Sequence, residues 1–374
     1  DMIKFSNKIC ALFAFVLMAV IVLGLTGCGT YNDKEIKIGL ICSRNEISDK
    51  YPDMLLGMEF GVEDAKSKYG NEKYNISVEI FDDKGQSEEA AVQAKKALND
   101  KSIDYIAVMS SDERLDLASE ILAGGKKITF WLDDLGQAVK CDEYSNQFYL
   151  TYDISDRAEM ITDFLKKENV ETLNVLYSAK NANGGIGHEL IQEADSLGIK
   201  VTSQVMLNSF SSEEYKTKLK NEMPDAVAVM TENSEENAKI IRAAKMVLPE
   251  CIIVTDSFMG DINFVKKSQW LMEDVVIPPE IKSDWDESEV DKIEERYEAM
   301  YGNTVQSERF FHGYFALMEL VEATVNCKTS KADTVCKYLT SPTAGRYGFN
   351  NAGVIKIGDA TVIKIKDGEL LKAE

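Results

Sequence analysis

Ile36-Lys37-Ile38-Gly39-Leu40-Ile41, then Met54 to Lys68, then Ile76-Ser77-Val78-Glu79-Ile80-Phe81 form the stretch that decides the fold. The two outer pieces are short, apolar and rich in β-branched residues, so they read as strands. In the middle piece Leu55, Met58, Val62 and Ala65 recur at helical spacing. Parallel neighbouring strands need a long crossover, and a helix is the usual one, so the stretch predicts a βαβ unit.

The alternation continues outward. Ser87 to Leu98 predicts a helix, with Ser87 as N-cap and Glu88 and Glu89 in its first turn. Tyr105 to Met109 is a buried strand, Ser110-Ser111-Asp112 caps a helix up to Leu122, and Lys127 to Leu132 is the next strand. The pattern then restarts. Helices are expected over Ser155 to Lys167, Gly187 to Leu197, Glu213 to Asn221 and Ser234 to Met246. Strands are expected at Leu173 to Tyr177, Lys200 to Val205, Ala226 to Met230 and Ile252 to Thr255. Two successive sets of βαβ units imply an α/β protein with two parallel sheets, each covered by helices. The tail adds helices over Glu287 to Tyr301 and Phe310 to Val325. Short strands with turn signals at Asn351-Ala352-Gly353 and Asp367-Gly368 follow.

A chain of 374 residues suits two lobes of ordinary domain size. Its formal net charge of -21 disfavours nucleic acid and anionic lipid headgroups as partners. At the start, Lys4 and Lys8 precede a run without charge from Ile9 to Leu25, closed by Leu25-Thr26-Gly27-Cys28. A basic start, an apolar stretch and small residues before a cut describe a secretory leader. The ending resembles the bacterial lipobox, in which the Cys is lipidated, so residues 1–27 read as a leader and Cys28 as the lipidation site. The alternative is an uncleaved membrane anchor, for which the apolar run is just long enough. Both readings put the bulk of the chain outside the cytoplasmic membrane. Asp1 precedes a plausible initiator, Met2.

Of seven cysteines, Cys42, Cys141, Cys251, Cys327 and Cys336 lie beyond Cys28. Outside the membrane a disulfide between Cys327 and Cys336 is permitted, and five reduced thiols are equally compatible. Nothing in the Cys and His spacing suggests zinc, and neither metal nor cofactor is expected. Enzyme signatures are lacking as well. The two histidines, His188 and His312, sit in no Gly-x-Ser-x-Gly elbow and no His-Glu-x-x-His motif. Gly184-Gly185-Ile186-Gly187 lacks the Lys-Ser/Thr of a phosphate loop and reads as a tight turn. The chain is therefore read as a non-enzyme.

From Ile36 to the end, the sequence resembles the branched-chain amino-acid binding proteins of ABC transporters, which have the type I periplasmic binding fold. The segments that carry the resemblance are Ile36 to Leu40, Leu56-Gly57-Met58-Glu59-Phe60-Gly61-Val62-Glu63-Asp64-Ala65, and Val78 to Asp83. Phe148 to Leu165, Phe310-Phe311-His312-Gly313-Tyr314-Phe315-Ala316 and Gly345 to Gly353 add to it. The resemblance implies two Rossmann-like lobes joined by a three-segment hinge, with crossings expected near Ile154, Pro278 and Thr343. It places residues 28–35 as a linker, 36–154 plus 279–342 as lobe 1, and 155–278 plus 343–374 as lobe 2. It implies an extracytoplasmic receptor that docks on an ABC permease and delivers an amino acid or related small polar molecule. A ligand sensor in a signalling system is the alternative.

Ligands of such folds sit at the carboxyl ends of strands, which selects candidate pocket residues. Ser110 and Ser111 would offer hydroxyls and helix N–H groups to an anion, or serve as ordinary N-caps. Trp131, Asp133 and Asp134 end the next strand, where the family has small and hydroxyl residues. A Trp with two acids suits a cationic or zwitterionic solute, unless Trp131 is core and the acids cap a turn. Asn183 stands where the family often offers an aromatic residue. Thr231, Glu232, Asp256 and Phe258 follow two further strands. Tyr51 and Arg44 in the first loop, and Phe311 as part of the wall, complete the set.

Overall fold

Ile38 in the first strand pairs with Val78 on one side and with Tyr105 on the other, both in parallel register. This is the opening βαβ unit, and it builds a five-stranded parallel sheet. The computed structural model describes residues 34–45, 47, 51–70, 74–109, 115–133, 146–178, 185–207, 211–231, 233–260, 262–279, 285–305, 307–355 and 360–373. The sheet contains β1 (Lys34–Cys42), β2 (Tyr74–Asp82), β3 (Tyr105–Met109), β4 (Thr129–Trp131) and β5 (Gln147–Tyr149), in the order β2-β1-β3-β4-β5. Helices α1 (Pro52–Tyr69), α2 (Ser87–Asn99) and α3 (Asp116–Ala123) make the crossovers.

The second sheet repeats this plan. Strands β6 (Thr172–Ser178), β7 (Lys200–Leu207), β8 (Ala226–Met230), β9 (Ile252–Thr255) and β10 (Val276–Ile277) run parallel in the order β7-β6-β8-β9-β10. An antiparallel hairpin, β11 (Ile363–Lys366) and β12 (Glu369–Lys372), extends its edge. Its turn residues Asp367 and Gly368 both have positive φ, as a two-residue hairpin turn requires. Helices α4 (Ile154–Lys167), α5 (Ile186–Ser196), α6 (Ser212–Glu222), α7 (Ser234–Val247) and α8 (Ile262–Ser268) belong to this lobe. Helices α9 (Glu287–Tyr301), α10 (Glu308–Cys327) and α11 (Ala332–Leu339) follow it in the chain.

Alternation along the strands sets the cores. Ile38, Leu40, Tyr105, Ala107, Phe130 and Leu132 face one cluster, whereas Ile41, Ile106, Val108 and Trp131 face another with Ala90, Ala94 and Leu122. Both faces are apolar because helices cover a parallel sheet on both sides. Against the first face, α1 crosses α10 at very short range. A Cβ on Gly57 would overlap the carbonyl oxygen of Phe310, and one on Gly313 that of Met54.

Some expectations need correction. The N-cap of α2 is Gln86 and not Ser87, which begins the helix itself. β1 starts at Lys34, so the last two residues of the expected linker, Lys34 and Glu35, are already strand. The segment after Thr343 does not go directly to the second sheet. Arg346 is held between Glu289 and Glu322 of α9 and α10, at 2.7 and 2.9 Å. Tyr149 then donates its N–H to the Gly353 carbonyl at 2.8 Å, and Phe349 packs against Phe130 and Phe148. These contacts keep the chain on the first lobe as far as Val354. Among the described residues, Cys42, Cys251, Cys327 and Cys336 are free thiols. None of the described helices is long and apolar enough to cross a membrane. The leader and Cys28 lie outside the described residues.

Candidate functional site

In a doubly wound sheet, the loops on either side of the position where strand order reverses diverge and leave a crevice at the carboxyl ends. The reversal falls between β1 and β3 in one lobe and between β6 and β8 in the other. The strand ends at Cys42, Met109, Ser178 and Met230 therefore mark the candidate site. Of the sequence candidates, Ser110, Ser111, Asp134, Asn183 and Glu232 lie outside the described residues.

In the first lobe the structure brings three side chains together. Tyr51, in the loop before α1, donates its hydroxyl to Asp133 Oδ2 at 2.5 Å. Arg309, in the first turn of α10, places Nη2 3.5 Å from Asp133 Oδ1. Its guanidinium stands 5.5 Å from the centre of the Tyr51 ring. The start of α10 is fixed by Ser307, whose hydroxyl accepts the Arg309 N–H at 3.2 Å. Asp133 and Tyr51 are buried, whereas 29% of the Arg309 side chain is exposed. Solvent thus meets the guanidinium first and the carboxylate lies behind it. Its neighbour Glu308 is exposed, and its carboxyl is raised by the crowding of surrounding protein, an effect that Lys372 opposes.

One turn further along α10, His312 is fully buried and its Nε2 lies 2.9 Å from the Leu132 carbonyl. A carbonyl can only accept, so Nε2 carries the proton. Nδ1 is buried and, among the described residues, has no hydrogen-bond partner. Burial pushes the imidazole down to about 4; Arg309 adds to this, while the Leu132 bond and Asp133 oppose it. Tyr347 donates its hydroxyl to the His312 carbonyl at 3.3 Å.

Trp131 is not an open stacking surface. It is 1% exposed and stacks on Tyr149, and its indole N–H is bonded to Gln147 Oε1 at 2.8 Å. Strand alternation explains this, because Leu132 and Trp131 must face opposite sides of the sheet. Phe311 also sits in the core, edge-on to Phe310. Arg44 is exposed and lies 3.8 Å from Asp82.

In the second lobe Thr231 is buried and bonded within the fold. Its hydroxyl donates to Asn237 Oδ1 at 2.6 Å, and Asn237 donates in turn to Thr255 Oγ1 at 3.2 Å. That chain ties β8, α7 and β9 together. Asp256 accepts the Ser257 N–H at 2.7 Å and lies 3.6 Å from Nη1 of Arg157. Phe258 packs, half-buried, against the second-lobe core.

Sequence reasoning missed Arg157 and Arg309. Arg157 is 1% exposed and occupies the apolar stripe of α4 with Ile154, Ala158, Ile161 and Leu165. A cation on an apolar stripe was the available signal. Arg309 lies 176 positions beyond Asp133, and no local pattern joins them. Among the described residues, no group of acids, histidines and cysteines could hold a metal.

Two doubly wound lobes linked by more than one passage of the chain define the type I periplasmic binding fold. A family model described as periplasmic binding protein matches residues 35–351, and the chain belongs to that family. Solved structures agree on the fold. An ABC transporter substrate-binding protein from Desulfitobacterium hafniense, in complex with Leu, superposes with a TM-score of 0.76 at 16% identity, covering 91% of this chain and 100% of that one. A leucine-binding protein from Thermotoga maritima gives 0.70 at 16% identity, with 91% and 98% covered. An ABC transporter substrate-binding protein from Sphaerobacter thermophilus gives 0.73 at 14% identity, with 91% and 97% covered. No curated protein sequence matches this chain.

Proposed function

We propose that this protein is the extracytoplasmic solute receptor of an ATP-driven importer, anchored through a lipid on Cys28, and that it catalyses no reaction. It takes an amino acid or related small polar molecule between its lobes, and the closed form docks on the permease. The observation that carries this reading is the polar cluster of Tyr51, Asp133 and Arg309 built where the first sheet offers a crevice. Relatives of the same fold described as substrate-binding proteins, one of them in complex with Leu, support it. Lobe closure needs a hinge, and the chain passes between lobes near Ile154, near Pro278 and between Ile355 and Ile363. Closure buries the solute and excludes water, so affinity comes from polar groups set in advance.

A thermal-shift screen of the full chain in detergent, against amino acids, polyamines, amides and nucleosides, tests the reading. A true ligand at about 100 times its Kd adds about 2.7 kcal/mol of stability and raises the Tm. Turnover of the bound solute, or no shift with any small molecule, would overturn the proposal. For the anchor, Cys28→Ala should abolish labelling by fatty acid in cells.

A further inference from the structure

We infer that the amino-end face of the first-lobe sheet rests on anionic phospholipid headgroups, and that this contact holds the receptor upright with its crevice clear of the membrane. The inference rests on the lipid anchor proposed at Cys28.

All five strands of the first sheet are parallel, so their amino ends share one side, opposite the crevice. Six exposed lysines stand on that side. Lys34 opens β1, and Lys101 and Lys126 lie in the loops that enter β3 and β4. Lys66 is in the last turn of α1, Lys328 caps the end of α10, and Lys331 stands at the start of α11. Polar contacts fix these segments to one another. Ser330 donates its hydroxyl to Asp104 Oδ1 at 2.7 Å, which seats the turn between α10 and α11 beside the entry to β3. Lys68 lies 3.0 Å from Glu322, which sets the end of α1 beside that of α10. Lys127 donates to the Ala97 carbonyl at 2.8 Å and ties the entry to β4 to the end of α2.

Acids are present on this face, but they do not balance the lysines. Asp104 accepts the Lys37 N–H at 2.9 Å as well as the Ser330 hydroxyl, and Asp100 accepts the Ser102 N–H at 2.8 Å. Both are half-buried, and the exposed acids are Glu35, Glu120 and Asp333. The second lobe shows that the basic sign is not imposed by the fold. Its helices end at the same side of its strands, so their dipoles favour cations there too. Yet Glu168 and Glu171 precede β6, Asp225 precedes β8, Glu250 precedes β9 and Asp274 precedes β10, all exposed. The net charge of -21 is thus unevenly divided, with a basic end on one lobe and an acidic end on the other.

Chain connectivity selects the membrane as the partner of the basic end. Cys28 and Lys34 are six positions apart, a reach of at most about 20 Å. A lipid on Cys28 keeps the lysine face near the headgroups, and attraction within a Debye length of about 8 Å then orients it. The acidic end is repelled into solution, and the carboxyl ends of the strands stay open to solute.

The test anchors the full lipidated chain in vesicles of phosphatidylcholine, or of phosphatidylcholine and phosphatidylglycerol in equal parts. Lysines are acetylated with a soluble active ester, and the rate at each is read by mass spectrometry. With phosphatidylglycerol, Lys101, Lys126, Lys328 and Lys331 should react about fivefold more slowly than with phosphatidylcholine alone. Lys200 and Lys239 of the second lobe should react alike in both. Salt at about 1 M, which shortens the Debye length to about 3 Å, should remove the difference. Combining Lys101→Glu, Lys126→Glu and Lys328→Glu should abolish the protection of Lys34 and Lys66 and leave the Tm and its solute-induced shift unchanged. If that variant does not fold, the salt dependence of the wild type decides. Equal rates in the two vesicles, or protection that survives high salt or charge reversal, would overturn the inference while the anchor and receptor readings stand. If the chain floats with neither vesicle, the anchor reading falls and the inference falls with it.

Discussion

Gly313 of α10 lies so close to Met54 of α1 that a side-chain carbon at position 313 would overlap the Met54 carbonyl oxygen. Gly57 makes the reciprocal approach to Phe310. The two helices meet backbone to backbone, and this contact sets where the start of α10, and hence Arg309, stands relative to Tyr51. Gly313→Ala or Gly57→Ala should cost about 3 kcal/mol or prevent folding, since overpacking forces backbone shifts. Gly70 has open space around it, so Gly70→Ala should be neutral or slightly stabilising. Urea unfolding of the three variants decides.

Gly353 combines a φ of +79° with a close approach to the Gln147 carbonyl. Gly353→Ala adds left-handed strain of about 1–2 kcal/mol to a backbone clash. It should loosen the returning segment from β5. Ligand affinity should fall together with Tm, and faster hydrogen exchange at Tyr149 would locate the lesion.

Trp131→Ala should destabilise the protein by about 3–5 kcal/mol, as removal of a fully buried aromatic ring does. Its effect on ligand affinity should be small wherever the variant remains folded. Tyr51→Phe should cost about 1–3 kcal/mol, because a buried carboxylate loses a donor, and it should also weaken solute binding. Chemical denaturation and calorimetric titration separate the two patterns.

His312 gives stability a pH dependence. The folded state holds the ring neutral down to about 4, whereas the unfolded chain takes up a proton near 6.5. Below 6.5 the unfolded state therefore binds more protons, and stability falls as pH drops from 6.5 to 4. The loss should reach roughly 3 kcal/mol at the lower end. His312→Gln should be less stable at pH 8, yet nearly flat across that window after other groups are accounted for. A wild-type slope retained in the variant would refute the assignment.

Glu59 acts in the opposite direction. Burial, with Glu63 nearby, raises its carboxyl to about 7 from an ordinary 4.5. Below 4.5 both states are protonated and nothing is lost. As pH rises to 7 the unfolded chain ionises first, so the contribution to stability drains away. Glu59→Gln should raise Tm at pH 8 and leave it unchanged at pH 4.

The elements were largely legible in advance because parallel strands and amphipathic helices write their periods locally. Glu287–Tyr301 is found as expected, and Ala226–Met230 is buried along its whole length. β5 was missed because a three-residue strand carries no period, and α8 and α11 because they are short. Of the candidate residues, Asp133 and Tyr51 meet in one cluster. Trp131, Phe311 and Thr231 turn out to be held within the fold, because strand alternation and capping claim side chains that position alone assigns to a crevice.

Composition, order of segments and hydrophobic period settled the α/β class, the repeat of βαβ units and the acidic net charge. Those signals act between neighbours in the chain, so a sequence shows them directly. The partners of charged groups were decided only in three dimensions. Asp133 and Arg309 are far apart in the chain, and the tertiary fold, including the His312–Leu132 bond from α10 to the end of β4, brings them together.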